Sequence, residues 1–182
     1  RRMKRIPEPE LMDSPAQVDA YAAADFEEGN RAFAMRVTAA LAERRSGTLI
    51  DLGCGPGDIC RRLANALPGW SIEGLDAGPN MLQSAERATA GSPHVDRIRY
   101  RQARLPDASL PPAGYQAVVS NSLLHHLPDP DALWQSVVQL AAPGAYVQVM
   151  DLDREADEAA ARALAAAAAR DEPPILREDF FN

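Results

Sequence analysis

Two acidic residues and a glycine-rich turn in the first half of the chain could together bind a charged small molecule. Asp51 follows the apolar run 48–50 and precedes the turn 53–57, which carries three glycines. Glycines so spaced let the backbone take positive φ angles and approach a ligand without an obstructing Cβ. Asp76 ends a second apolar segment. A carboxylate beside the turn would repel a phosphate but attract a cation, so the pattern favours a cationic ligand.

The segments that flank the turn predict the elements that hold it. Residues 48–50 are apolar or β-branched, which is typical of a strand buried on both faces, and residues 59–67 have helical apolar spacing. Strand, glycine-rich turn and helix open a nucleotide-binding βαβ unit. In the dinucleotide fingerprint the third glycine would fall one residue after Gly57, so the spacing disfavours an NAD-dependent oxidoreductase without removing it as an alternative.

The remaining segments predict alternating helices and strands. Two N-terminal helices, from Ser14-Pro15 and over about 31–45, are separated at Gly29-Asn30. Strands are then predicted at 48–52, 70–76, 95–103, 115–120 and 145–152, with helices at 59–67, 80–90, 130–142 and 154–170. Such alternation predicts a doubly wound, mostly parallel α/β sheet with helices on both faces. Ligands bind at the carboxyl ends of the strands in sheets of this kind.

Composition limits the classes of function. The length of 182 residues predicts one domain, with an arm and lid helices over 1–46 and an α/β core over 47–182. The net charge of −7 argues against a nucleic-acid partner or an anionic membrane, both of which need a basic surface. Cys54 and Cys60 are too few for a structural zinc site, so we expect reduced thiols, no metal and a cytoplasmic location.

A second cluster of charge is basic, and we expect it to be structural. Arg97, Arg99, Arg101 and Arg104 lie in and just after the predicted third strand. Their alternation is typical of the solvated side of an edge strand.

Four segments together resemble the class I S-adenosylmethionine-dependent methyltransferases. They are residues 49–57, 74–82, 120–127 and 140–145. The resemblance covers about residues 45–153 and implies a Rossmann-like methyltransferase fold with S-adenosylmethionine as cofactor. That cofactor carries a sulfonium and an ammonium group but no phosphate, which agrees with the carboxylate of Asp51.

The resemblance also implies which residues hold the cofactor. Asp51 and the backbone of 53–57 would hold the methionine part, Asp76 would accept hydrogen bonds from both ribose hydroxyls, and Met81 would lie against the adenine. Ser120-Asn121 would line the floor near the methyl group. The full predicted set is Asp51, Gly53, Cys54, Gly55, Asp76, Ala77, Met81, Gln102, Ala103, Arg104, Ser120 and Asn121.

The third strand departs from the family pattern. Gln102 stands where family members often have an acidic residue. Either its side-chain carbonyl or the backbone around Ala103 and Arg104 would then contact the adenine amino group.

Three residues are candidates for catalysis: His125, Tyr21 and Asn121. A general base is needed only if the methyl acceptor must lose a proton. His125-His126 could instead be a metal pair, and Asp151 with Asp153 could be acidic metal ligands. We expect no metal, because adjacent histidine side chains diverge and Asp153 is placed to cap the next helix.

The pattern as a whole predicts an S-adenosylmethionine-dependent methyltransferase with a small-molecule acceptor. The alternatives are a catalytically inactive cofactor-binding partner subunit and, less favoured, the oxidoreductase. Sheets of this family usually close with an antiparallel hairpin, and Asn182 comes before it. We therefore expect either that this hairpin is missing or that a second copy of the chain covers the exposed edge as a homodimer.

Overall fold

A computed structural model describes residues 11, 13–23, 26–152, 159, 160 and 163. Its sheet has five strands: β1 (Gly47–Leu52), β2 (Trp70–Asp76), β3 (Ile98–Gln102), β4 (Tyr115–Asn121) and β5 (Ala141–Met150). They lie in the order β3-β2-β1-β4-β5, and every pairing between them is parallel. The predicted α/β fold is therefore confirmed, with a sheet that is parallel throughout in the described part of the chain.

Helices cover both faces of this sheet. The described α-helices are α1 (Pro15–Ala23), α2 (Glu27–Ala40), α3 (Asp58–Ala66), α4 (Pro79–Thr89) and α5 (Asp131–Leu140), with 3₁₀ turns at Val95–Arg97 and Leu124–His126. Leu49 packs in one apolar layer with Phe33 and Leu63, whereas the next residue, Ile50, packs in the opposite layer with Leu133. Successive side chains of a strand point to opposite faces, so β1 is buried on both sides as predicted. Among the helices of the described ranges, none is long and apolar enough to cross a bilayer.

The boundary between the two N-terminal helices was predicted wrongly. Gly29 and Asn30 lie inside the first turn of α2, which begins at Glu27 and ends at Ala40. A helical glycine costs only about 1 kcal/mol relative to alanine. Burial of Phe33 and Val37, both at 0% exposure, outweighs that cost.

Two other boundaries also differ from prediction. The third strand begins at Ile98, because the three residues before it form a 3₁₀ turn. The last strand begins at Ala141 and includes Pro143-Gly144, which were expected to end the preceding helix. A register shift between Tyr115 and Ala117 on β4 accommodates these extra residues.

Arg97 corrects the expectation for the basic cluster. Its guanidinium is not on a solvated strand face but donates hydrogen bonds to the carbonyls of Ala64, Leu67 and Trp70 at 2.6, 3.0 and 2.8 Å. Carbonyls at the end of a helix lack partners within the helix, so a nearby guanidinium satisfies them. Arg99 and Arg101 do lie exposed on β3, an edge strand.

Three expectations lie outside what the structure describes. Most of the Ala-rich segment 154–170 lies outside the described residues, although residues 159, 160 and 163 are helical. The C-terminal hairpin and the homodimer stay predictions.

A matched pair of glycine substitutions tests the geometry of the turn after β1. Gly57 has φ of +76°, and a Cβ there would overlap the Tyr100 hydroxyl. We expect Gly57→Ala to lower the free energy of unfolding by at least about 1 kcal/mol, because the left-handed conformation alone costs that much. At Gly29, where no heavy atom lies within 4 Å of an added Cβ, the same change should raise it by roughly 0.5–1 kcal/mol. Urea unfolding followed by circular dichroism measures both, and a Gly57→Ala variant as stable as wild type would contradict this geometry.

Candidate cofactor and active site

The turn after β1 is fixed to the end of β2 by its backbone. The amides of Gly53 and Cys54 both donate to the carbonyl oxygen of Leu75, at 2.8 and 3.0 Å. Gly53 and Gly55 have φ of 75° and 51°, which glycine adopts without strain. The backbone of this turn is thus presented at the carboxyl end of the sheet, where ligands of such folds bind.

Asp76 ties this turn to the start of α4. One carboxylate oxygen accepts a hydrogen bond from the Gly55 amide and the other from the Gly78 amide, each at 2.8 Å. Burial is the main cause that raises the pKa of Asp76, and the two amides oppose it by stabilising the ionised form. A carboxylate held in this way has its remaining lone pairs available for ligand hydroxyl groups.

A first cavity extends from Asp76 between the ends of β2 and β3. Ala77, Met81, Ala103 and Arg104 line it. It is an apolar slot with a carboxylate at one end, which suits a nucleoside: an aromatic base packs in the slot while the ribose hydroxyls meet the carboxylate. These are residues predicted to bind the cofactor, and the structure brings them together.

A second cleft adjoins the first and is more polar. Asp51, Cys54, Asn121, Asn30 and Asp58 all contribute to its wall. Its acceptor oxygens suit a ligand that carries a positive charge or donates hydrogen bonds.

Asp51 is the most perturbed carboxyl group of this cleft. It is 1% exposed, and the thiol of Cys60 donates to it at 3.4 Å. Burial raises its pKa to about 7, with the Cys60 hydrogen bond acting in the opposite direction and Asp76 adding to the rise. A cation bound beside Asp51 would stabilise its ionised form, so the site has an electrostatic reason to bind one.

Tyr21 lies where the two cavities meet. It lines both of them and its ring lies 4.8 Å from that of Phe26. Burial, followed by the charges of Asp76 and Asp51, raises the pKa of Tyr21 to about 12. Its hydroxyl is therefore protonated at neutral pH and serves better as a hydrogen-bond donor than as a base.

Two predicted cofactor residues lie outside the cavity walls. The hydroxyl of Ser120 is buried and donates to the carbonyl of Leu52 at 2.9 Å, which joins β4 to β1. Gln102 is exposed, and its amide donates to the carbonyl of Ala77 at 3.1 Å.

His125 pairs with an acid at the carboxyl ends of β4 and β5. Its Nδ1 lies 2.6 Å from one oxygen of Asp151, whose other oxygen accepts the Leu124 amide at 2.6 Å. Burial acts to raise the pKa of Asp151, but the His125 hydrogen bond and charge outweigh it and lower that pKa overall. Because a carboxylate can only accept, Nδ1 carries the proton and Nε2 is the basic nitrogen. His126, whose ring lies 4.1 Å from that of His125, lines the first cavity.

Two acids near the site were missed in the sequence. Asp13 accepts hydrogen bonds from the amides of Asn80 and Met81 at 2.9 and 3.1 Å, and so caps α4 from the N-terminal segment. No local signal reveals such a contact. Asp58 could have been noted as the acid that opens α3.

Within the described ranges, no three His, Cys, Asp or Glu residues come together in a way that could hold a metal ion.

Comparison of the sequence with known proteins finds a matching family model and several relatives. A methyltransferase domain model matches residues 50–147. An uncharacterized methyltransferase of Mycobacterium tuberculosis is 34% identical over 102 residues, which is 56% of this chain and 49% of that protein. Trans-aconitate 2-methyltransferase of the same species is 34% identical over 123 residues, 66% of this chain and 44% of that protein. The chain thus spans about half the length of the curated relatives it matches.

Solved methyltransferase structures have a similar fold. The crystal structure of an S-adenosylmethionine-dependent methyltransferase from Aquifex aeolicus matches with a TM-score of 0.60 and 16% identity, over 80% of this chain and 72% of that one. The methyltransferase domain model covers more than half of the chain, at residues 50–147. The chain therefore belongs to the class I S-adenosylmethionine-dependent methyltransferase family.

Proposed function

We propose that the protein transfers a methyl group from S-adenosylmethionine to a small-molecule acceptor. The observation that carries the proposal is the junction of two cavities at Tyr21 and the glycine turn. One cavity suits a nucleoside and the other a cationic polar group, so a single ligand with both parts would place its centre at the junction. In S-adenosylmethionine the sulfonium lies between the nucleoside and the amino-acid part, so it would lie at this junction.

The residues of this chain would act mainly by positioning. When bound, the cofactor supplies an activated methyl group on a good leaving group. Asp76 and Met81 would orient the nucleoside, Asp51 would hold the cationic end, and Tyr21 would shield the junction from water. Holding two reactants in line contributes up to several kcal/mol to such a displacement.

The acceptor is proposed to be small, and the second cleft gives a starting point for finding it. Arg61 and Arg62, which both pair with Asp58, contribute positive charge to the wall of that cleft. One relative is named for action on trans-aconitate. Small carboxylic acids are therefore the first acceptors to test, with hydroxyl and amine compounds next.

Two free cysteines fit the reducing cytoplasm expected for the protein.

Turnover with a mixed acceptor set tests this function. The purified protein is incubated with S-adenosylmethionine and a metabolite extract, and mass spectrometry records products that are one methyl group heavier. We expect such a product together with an equal amount of S-adenosylhomocysteine. Binding of the cofactor without any product would favour the inactive partner subunit instead.

His125 is proposed as the general base for an acceptor that must lose a proton. Its support is the hydrogen bond between Nδ1 and a carboxylate oxygen of Asp151, which orients the imidazole so that Nε2 is the nitrogen that would take that proton. We expect His125→Asn to lower kcat by about 100-fold or more, in the range typical of a lost general base.

The control for this prediction separates chemistry from folding. The dissociation constant for S-adenosylmethionine should be unchanged in His125→Asn. His94→Asn, which alters a histidine before the start of β3 that bonds to Asn65 and Arg97, should leave kcat unchanged. Full activity of the His125 variant would exclude the base role.

A further inference from the structure

A directed series of hydrogen bonds joins α2, α3 and β4 at the wall of the second cleft. The side-chain amide of Asn121 donates through Nδ2 to Oδ1 of Asn30 at 3.2 Å. Asn30 in turn donates through Nδ2 to Oδ2 of Asp58 at 2.9 Å. The same carboxylate oxygen accepts from Nε of Arg62 at 2.7 Å. All four residues line the cleft.

The donors and acceptors of this series fix its direction. Asp58 is ion-paired with Arg62, so it offers only acceptor oxygens and Asn30 must turn its NH₂ group toward it. The oxygen of Asn30 is then left to accept from Asn121, which must donate through its own NH₂ group. The two ends of an asparagine amide are nearly identical in size, so hydrogen bonding alone decides the orientation of such a group.

This orientation leaves one acceptor unused. Oδ1 of Asn121 is buried and has no hydrogen-bond partner within the part of the chain that the structure describes. Buried polar atoms in native proteins nearly always have partners, so an unused one on a cleft wall indicates a place for a ligand donor. Asn121 ends β4, beside β1, whose Asp51 contributes another acceptor to the same cleft.

We propose that Asn30, Asp58 and Arg62 are positioning residues that hold the Asn121 amide with its oxygen available to the ammonium group of the cofactor. The inference rests on the proposed function, since it takes S-adenosylmethionine as the ligand. A reversed amide would present NH₂ to the ammonium group and repel it. The ion pair between Asp58 and Arg62 thus acts through Asn30 on Asn121, and it gives Asn121 a preference for a cationic donor.

Calorimetry with two ligands tests this inference without knowledge of the acceptor. S-adenosylhomocysteine carries the ammonium group, whereas 5′-methylthioadenosine has the same nucleoside and thioether but no amino-acid part. In Asn30→Ala the amide of Asn121 can reverse. We expect the dissociation constant for S-adenosylhomocysteine to rise roughly tenfold, the scale of a hydrogen bond to a charged group. The constant for 5′-methylthioadenosine should be unchanged.

A double-mutant cycle shows whether Asn30 acts through Asn121. We expect Asn121→Ala to give a similar loss, and the double variant to bind S-adenosylhomocysteine no more weakly than Asn121→Ala alone. Thr38→Ala is the control on the same helix, because its hydroxyl donates within α2, to the carbonyl of Ala34 at 2.8 Å. It should bind both ligands as wild type does.

Three outcomes would overturn the inference. Equal weakening of both ligands by Asn30→Ala would assign Asn30 a general packing role, and additive losses in the double variant would separate it from Asn121. Either result leaves the cofactor proposal standing. Failure of the wild-type protein to bind S-adenosylhomocysteine would overturn both the cofactor proposal and this inference.

Discussion

Replacing Asp76 with alanine is expected to raise the dissociation constant for S-adenosylmethionine at least about 100-fold. In the proposed complex this carboxylate accepts hydrogen bonds from two ribose hydroxyls, and hydrogen bonds to charged groups contribute roughly 1.5–3 kcal/mol each. The substitution also removes the acceptors that the Gly55 and Gly78 amides use at 2.8 Å, so the turn keeps only its backbone hydrogen bonds to Leu75 of β2. Isothermal titration calorimetry at neutral pH measures the change.

The control for this variant is another aspartate that becomes alanine. Asp96 is exposed in the 3₁₀ turn before β3 and lines neither of the two cavities described above. Asp96→Ala should bind S-adenosylmethionine as wild type does. Wild-type affinity in Asp76→Ala, with the fold intact by circular dichroism, would show that the ribose is not held at the end of β2.

Asp51 is expected to make cofactor binding depend on pH. Its pKa of about 7 in the free protein means that the carboxyl group is largely protonated at pH 6. A cationic ligand stabilises the ionised form, so binding below pH 7 must release a proton. Affinity for S-adenosylmethionine should therefore rise with pH, by up to roughly tenfold per pH unit below 7, and level off above it.

Two controls isolate this effect in the same titration. Asp51→Asn cannot ionise, so we expect its binding of S-adenosylmethionine to be weaker and independent of pH between 6 and 8. The neutral ligand 5′-methylthioadenosine lacks the ammonium group, and its binding to wild type should change little over that range. A flat profile for S-adenosylmethionine with the wild-type protein would contradict the placement of the cation beside Asp51.

Asp51 should also make folding stability depend on pH. Its contribution to stability should fall as the pH rises, whereas the affinity for S-adenosylmethionine should rise. The folded-state pKa of Asp51 is raised from 3.8 to about 7, so the folded protein binds more protons than the unfolded chain between these values. Its contribution is fully present below the unfolded pKa and is lost as the pH rises through 7. At about 1.4 kcal/mol per pKa unit, Asp51→Asn should gain a few kcal/mol of unfolding free energy over wild type between pH 4 and 8. Urea titrations at several pH values measure that difference.

The central part of the fold could be predicted because its signals are local. The run before Asp51, the glycines after it and the helical spacing that follows lie within 20 residues, and β1, its turn and α3 form as expected. Asp51 and Asp76 could be recognised in the same way, since each lies near the carboxyl end of a buried strand. The hydrogen bond from Gly55 of the turn to Asp76 follows from the parallel pairing of β1 with β2.

Features that depend on distant contacts could not be predicted. Asp13 caps α4 across 67 residues of sequence, and no pattern around it differs from that of an exposed acid. Arg97 looked like part of a solvated strand because its three carbonyl partners belong to the end of α3 and the start of β2. Gly29 looked like a helix break because its local cost is visible in the sequence, whereas the burial of Phe33 that offsets it is a tertiary effect.

Equilibrium binding of S-adenosylmethionine to the wild-type protein tests the central claim most directly. Calorimetric titrations with S-adenosylmethionine and with NAD would be run side by side at pH 7.5, followed by displacement of the first ligand with S-adenosylhomocysteine. We predict one S-adenosylmethionine site per chain, competitive displacement by S-adenosylhomocysteine, and no heat from NAD. Binding of NAD in preference to S-adenosylmethionine, or binding of neither, would contradict the account.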